Sequence, residues 1–285
     1  MKSFFLALLK SRAGLFGFVL VVIFVLAALL APYLGLPVPT RSNLVARMSA
    51  PTWTGLFSPG AHPLGTDELG RDILSRIVYG SRVTLTIAAA AVVLGGIAGT
   101  LLGIVAGYYR GMVDRVLMRI VDIQLALPLM LLALLVIAAL GPSTTNLIIV
   151  LALTSWLRYA RIIRGQVLAL REREFILSAH AIGASTWRIM IKHLLPNVIT
   201  PALVIATLEL ARIIIMDAAL SFLGLGVQPP NPSWGRMLAD GRVYISTAWW
   251  IVTFPGIAIL LTVLSVNLLG DWLRDYFDPK LRTTR

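Results

Sequence analysis

The chain has 285 residues, 58% of them hydrophobic and 13% charged, with a net charge of +12 and no cysteine. A soluble domain sits nearer half apolar and a quarter charged, so this composition, with a mean hydropathy of +0.86, excludes a soluble protein and identifies one built into a membrane; the missing cysteines exclude disulfides and thiolate metal sites. In a soluble chain such a charge would point to nucleic acid, but here it is read as basic loops holding helices against an anionic leaflet, with membrane lipid as the partner and no nucleic acid.

Lys2, Lys10 and Arg12 precede an apolar run over 13–34, the order of a secretory signal. The run reaches membrane-spanning length and no small-residue cleavage site follows, so it is read as a retained helix. Spans are expected at 14–34, 83–108, 123–140, 145–163, 197–220 and 249–269, an all-α membrane protein with six transmembrane helices. A Gly141-Pro142 turn separates the third and fourth. In the second, Gly95, Gly96, Gly99, Gly103 and Gly107 include G-x-x-x-G spacings, which let a neighbouring helix approach closely.

Between the first two spans, 35–65 is rich in proline and glycine. Thr66 is then expected to cap a short helix with Asp67 and Glu68 in its first turn. Ile73, Leu74, Ile77 and Val78 would form its apolar side, and Asp72 would pair with Arg76. This divides the chain into 1–60 (first span and start of the outer loop), 61–82 (a periplasmic amphipathic helix lying on the outer interface) and 83–275 (a core of five spans containing a coupling loop, 164–196).

That loop is the most informative segment. Phe175, Ile176, Ala179 and Ile182 recur on one helical face, with Glu172 and Glu174 in the first turn. Gly183 is placed to end the helix in a left-handed conformation. Ser185 can cap a second helix with Trp187, Met190, Ile191 and Leu194 apolar, and Pro196 marks the start of the fifth span. A helix presented on such an elbow can lie in a groove of a partner; a helix lying on the membrane surface, a DNA-reading helix-turn-helix and a purely structural loop are the competing readings.

The fifth span carries Glu209, Arg212 and Asp217. Ionisable groups in a membrane are costly and usually functional. They line a translocation route, or they pair with one another or with a partner, with Asp217 expected near the better-solvated outer end. Segment 224–248 contains Q-P-P-N-P-S-W-G and cannot be one plain helix; it is either a shaped outer lid that touches a receptor or a rigid connection. None of the lysines follows a glycine, so no G-K-[ST] phosphate loop exists and any ATP must be bound by another chain. His62, His180 and His193 lack ligand spacing, so no metal site is expected. With the N-terminus inside, 17 of the 25 Lys and Arg residues fall on one side, 7 on the other and Arg212 within a span, which sets both termini in the cytoplasm.

The loop resembles the cytoplasmic motif of bacterial ABC-importer permeases: Glu-Ala-Ala, three residues, Gly, nine residues, Ile-x-Leu-Pro. Ala179, Gly183, Leu195 and Pro196 match it; Leu177, Ser178 and His193 stand where the glutamate, first alanine and isoleucine would be. A-I-G-A-S over 181–185 and K-H-L-L-P-N over 192–197 are similar to the dipeptide/oligopeptide/nickel branch. So are H-P-L-G-T-D-E-L-G-R-D-I-L-S-R over 62–76, Y-R-G over 109–111 and L-S-F-L-G-L-G-V-Q-P-P-N-P-S-W-G over 220–235. The G-T-D-x-x-G-R-D stretch matches the "C-type" permease of such systems; Asp217 stands where glutamate is usual.

The resemblance implies a type I importer permease fold in the bacterial inner membrane, working with a second homologous permease, two cytoplasmic ATPase subunits and a periplasmic or lipid-anchored substrate-binding protein. It implies no enzyme activity and no cofactor on this chain, since ATP and Mg would be bound by the ATPases. Glu174, Ser178, Ala179, Gly183, Ala184, Ser185 and Arg188 are then expected to couple to an ATPase. Relatives carry dipeptides, oligopeptides, glutathione or nickel. Two other classes stay open: a stand-alone proton-coupled secondary transporter, which would leave the elbow without a role and lacks paired broken helices, and a scaffold without transport.

Overall fold

The computed structural model describes residues 2–52 and 62–277, which are helical and contain no strand. The helices are α1 (Lys2–Lys10), α2 (Arg12–Leu30), α3 (Ile73–Tyr109), α4 (Gly111–Ala126), α5 (Leu129–Leu140), α6 (Thr144–Arg171), α7 (Glu174–Ala181), α8 (Thr186–Ile189), α9 (Leu195–Phe222), α10 (Trp234–Gly241) and α11 (Trp250–Phe277). Five segments are long and apolar enough to cross a membrane: Arg12–Tyr33, Ile73–Tyr109, Thr144–Arg171, Thr186–Phe222 and Trp250–Phe277. The boundary expected at 60–61, and Lys280, Arg282 and Arg285 of the charge count, lie outside the described residues.

The third expected span is different. Residues 123–126 end α4, and α4 and α5 meet at a bend of 92°. Pro128 is the cause: the residue before a proline is driven out of helical backbone, and Leu127 is extended at φ −82°, ψ 136°. With 12 residues, α5 is about 18 Å long at ~1.5 Å per residue, too short to cross alone, so the bent pair is either a broken span or a re-entrant loop. Meanwhile α4 is pinned along α6 by Arg164 to Asp114 at 2.5 Å and Arg161 to Asp122 at 2.5 Å.

The bundle is organised by α3 and α6, which run parallel with their backbones nearly touching. A β-carbon at Gly99 would stand 2.3 Å from the Trp156 carbonyl oxygen; one at Gly95 would lie 2.8 Å from that of Ala152, and one at Gly103 2.8 Å from that of Ala160. The expected glycine spacing therefore seats a particular neighbour. A second seam joins α2 and α11 antiparallel, with Gly14 against Trp272 and Gly17 against the Ser265 carbonyl. Arg12 and Phe277 consequently lie at the same end of the bundle.

The other end is closed by the long connections. Trp234, fully buried, donates its ring N–H to the Ile77 carbonyl at 2.9 Å and meets Phe24 edge-on at 5.6 Å. Ser233 caps α10 by accepting from the Arg236 N–H at 3.2 Å. Segment 224–248 is thus a packed connection with a short helix inside it. The helix expected from Thr66 begins later: Asp72 is the cap, accepting from the Ser75 N–H at 2.7 Å, and the helix runs straight on into the membrane as α3. Ile73, expected on an interfacial apolar side, instead packs on Met237, Trp250 and Ile251.

Replacing Gly99 by valine is expected to force α3 and α6 apart, at a cost of about 1–3 kcal/mol or more for overpacking. The melting temperature of the purified protein in detergent should fall, whereas Gly165→Ala, where a β-carbon meets nothing within 4 Å, should leave it unchanged.

Candidate functional site

The elbow is built as its residues demand. From Gly183, at φ +75°, the N–H donates to the His180 carbonyl at 2.9 Å, and the Ala184 N–H reaches back to Ala179 at 3.0 Å. This pair of bonds is the Schellman ending of a helix, which calls for glycine at its left-handed position. A β-carbon there would meet nothing within 4 Å, so the requirement is on backbone conformation and not on space. Ser185 then accepts from the Arg188 N–H at 3.4 Å and caps α8. From α8 the chain continues through one π turn, Met190–Leu194, into α9. That wide turn relieves Pro196, whose ring clashes with the carbonyl four residues back in a regular helix.

One side of the elbow is fastened to the bundle. Ile176 and Ala179 are buried with Tyr108, Ile163, Val167 and Met190. Arg171 donates to the Tyr108 carbonyl at 2.6 Å and covers that ring at 5.7 Å, and the ring stacks on His180 at 6.1 Å. The other side is bare. Ile182 is 84% and Trp187 69% exposed, and Phe175 and Leu177 are exposed beside them. Ile182, expected to share a face with Ile176 and Ala179, therefore points away from the bundle, and Phe175 of the same expected face is exposed beside His193, ring centroids 6.5 Å apart. Of the expected coupling residues, Glu174, Ser178, Gly183, Ser185 and Arg188 are exposed, Ala184 is half-buried and Ala179 is turned inward.

Within the bundle, Glu209 is buried between two guanidiniums: Arg212 lies 3.2 Å from one carboxylate oxygen and Arg158 3.3 Å from the other. The expected Glu209–Arg212 pair forms. Arg158, one of the 17 basic residues assigned to the inside, belongs to the middle of α6. Asp217 departs further from expectation: it is fully buried, and neither its oxygens nor the Ser221 hydroxyl one turn on make a hydrogen bond. Metal-binding groups of three or more acidic or histidine side chains do not occur among the described residues.

A polar knot not foreseen from the sequence closes the opposite end. Asp67 accepts from the N–H groups of Leu69 and Arg71 at 2.9 Å each and from the Arg71 side chain at 2.6 Å. Arg76, 2% exposed, lies 3.3 Å from Asp67 and 3.8 Å from Asp240, and Asp72 pairs with His62 at 3.0 Å. The expected Asp72–Arg76 pair is therefore replaced: Asp72 is spent on the helix cap and His62. Burial and the neighbouring Asp67 carboxylate hold Glu68 above the usual carboxylate range, against the pull of Arg71. Thr66, expected as the cap, accepts from the Ser49 N–H at 2.8 Å and donates to the Ala46 carbonyl, lacing the preceding loop to the knot.

Comparison with known proteins agrees with this architecture. Residues 99–283 match the family of binding-protein-dependent transport system inner membrane components. The chain is similar to the di/tripeptide transport system permease protein DppC of Pseudomonas aeruginosa, 42% identical over 99% of this chain and 93% of that one. It is similar to the dipeptide transport system permease protein DppC of Alkalihalophilus pseudofirmus, 43% identical over 99% of this chain and 90% of that one. It is also 45% identical over 78% of its length to the glutathione transport system permease protein GsiD of Pectobacterium atrosepticum, covering 74% of that protein.

Two substitutions test the buried charges. Asp67→Ala strands two buried arginines and is expected to cost about 3–5 kcal/mol, read as a large loss of thermal stability. Asp217→Asn keeps the shape and removes only a carboxylate that has no hydrogen bond to lose, so stability should be unchanged or higher, while Asp217→Lys should prevent folding.

Proposed function

The chain belongs to the family of binding-protein-dependent transport system inner membrane components, and from that premise we propose that it is a permease subunit of an ATP-driven importer that moves di- or oligopeptides across the bacterial inner membrane. The observation that carries this is the elbow: α7 is anchored by Ile176 and Ala179 on one side, while Leu177 on α7, Ile182 at its end and Trp187 on α8 are offered to solvent. Exposed apolar side chains grouped on a short, rigidly held helix suit a partner's cleft. Without a phosphate-binding loop, the chain needs that partner to be an ATPase. The names of the relatives support peptides as cargo.

In this reading two ATPase subunits lie below, and one receives α7. The elbow and both described ends of the chain face the cytoplasm, as the Lys and Arg distribution favours. A second, similar permease completes the pathway, and a binding protein delivers peptide to the end that carries the knot and α10. The coupling segment 164–196 and the core 83–275 then act as one unit. Transmission follows from helix continuity: α8 leads through the π turn into α9, the helix that bears Glu209 and Arg212. A tilt imposed at Gly183–Ser185 is delivered to those charges as a rigid-body movement, the ordinary way that packed helices convey a two-state change.

Gly183→Val puts a β-branched residue at positive φ, a conformation costing about 1–2 kcal/mol per residue, and distorts the elbow without touching the bundle. In proteoliposomes containing the assembled transporter and its binding protein, dipeptide uptake is expected to fall at least ten-fold while ATP hydrolysis continues. Uptake at the normal rate by this variant would refute the coupling role.

A further inference from the structure

Alongside α9 runs an open groove of about 430 Å³, within the usual ~300–1,000 Å³ of small-molecule sites. Its walls are Met130 from α5, Leu208, Ile215 and Met216 from α9, and two polar side chains, Arg212 and Asn267 from α11. Arg212 sits ten residues before the end of α9 at Phe222, about 15 Å along the helix at ~1.5 Å per residue. It therefore lies at hydrocarbon depth, beyond the reach of a lipid headgroup.

The charges there do not cancel. Glu209, 2% exposed, is shared by Arg212 and Arg158, whose side chains are 23% and 50% exposed. Two guanidiniums against one carboxylate leave a net charge of +1 on this cluster, whose Arg212 lines the groove. A surplus cation facing lipid costs at least ~2.5–3.5 kcal/mol, so the cluster must meet water, a partner or an anionic ligand. Arg212 uses one nitrogen on Glu209 and keeps donors free, and the Asn267 amide makes no hydrogen bond among the described residues. Two side chains with unspent donors thus line one space.

We propose that the Arg212–Asn267 groove binds the terminal carboxylate of the peptide in transit. The proposal rests on the reading of the chain as a peptide permease. A guanidinium fork takes a carboxylate in paired hydrogen bonds, and the Asn267 amide adds a further donor. The side chain of the peptide falls against Met130 and Met216, whose flexible thioethers re-pack around varied shapes. The site thus reads what all linear peptides share, a terminal carboxylate, and tolerates what differs among them.

The test uses the fully assembled transporter in nanodiscs without the binding protein, and equilibrium binding of radiolabelled dialanine. Saturable binding is expected, competed by unlabelled dialanine and at least ten-fold less by dialanine amide, in otherwise identical conditions. Arg212→Gln should weaken binding about ten-fold or more, and Asn267→Leu several-fold, while Arg212→Lys keeps part of it. Equal competition by the acid and the amide would overturn the proposal, as would full affinity in both Arg212→Gln and Asn267→Leu. If Arg212→Gln does not assemble, the amide comparison on the unaltered protein and Asn267→Leu decide. No binding by a transporter that imports dialanine with its binding protein would dismiss the groove and leave peptide import standing; failure to import dialanine at all would count against peptide import itself.

Discussion

Backbone contact between α3 and α6 is the constraint on which the rest of the structure hangs. Within a bilayer there is no water to expel between helices, so their association relies on close packing of small residues. The stripe of Gly95, Gly99, Gly103 and Gly107 lets α6 approach until its carbonyl oxygens stand 2.3–3.0 Å from where β-carbons would be. That approach fixes the rotation of α6 about its own axis. Arg158 is thereby turned to Glu209, and Arg171 to the end of α3 at Tyr108. The charge cluster and the anchored elbow are both consequences of the same seam.

The elbow gains its mechanical character from an asymmetry of attachment. Its first helix is fixed to α3 and α6 by Ile176, Ala179 and the Tyr108–His180 stack. Its second helix leads into α9 through the π turn. A force on exposed Ile182, at the end of the first helix, and Trp187, in the second, therefore acts where two differently held helices meet. Closing the helix at Gly183 by a Schellman turn, with both capping bonds made, leaves little slack to absorb the force locally.

Much of this was legible in the sequence, and the parts that were not share a physical reason. Hydropathy located the five helices long enough to cross, because lipid length imposes a local rule. Gly183 and Ser185 were readable because helix ends obey local chemistry. Pro128 carried a local signal for the bend in the third expected span, but the apolar run across it masked the break. Thr66 and Asp72 were both competent caps, and only the tertiary network, with Thr66 bonded to the loop at 46–49, decided between them. Arg158 read as a loop charge because its partner Glu209 is on another helix. Asp217 read as solvated because nothing in the sequence reveals how much of the packed connection over 224–248 covers the end of α9.

The contrast between the knot and the groove separates structural charge from working charge. In the knot, buried arginines and carboxylates interlock, and Asp67 alone serves two backbone N–H groups and two guanidiniums; its charges are matched within the knot itself. The cluster around Glu209 is short by one negative charge and keeps donors free at depth in the membrane. A ligand can shift a conformational equilibrium only through a difference in its affinity for the two states. Closing a groove with a surplus cation inside it raises the desolvation cost of that cation, and an incoming carboxylate cancels the surplus. An empty closed groove is thereby disfavoured and a loaded one is not, so the same missing charge that selects the ligand also biases α9 toward moving only when there is something to carry.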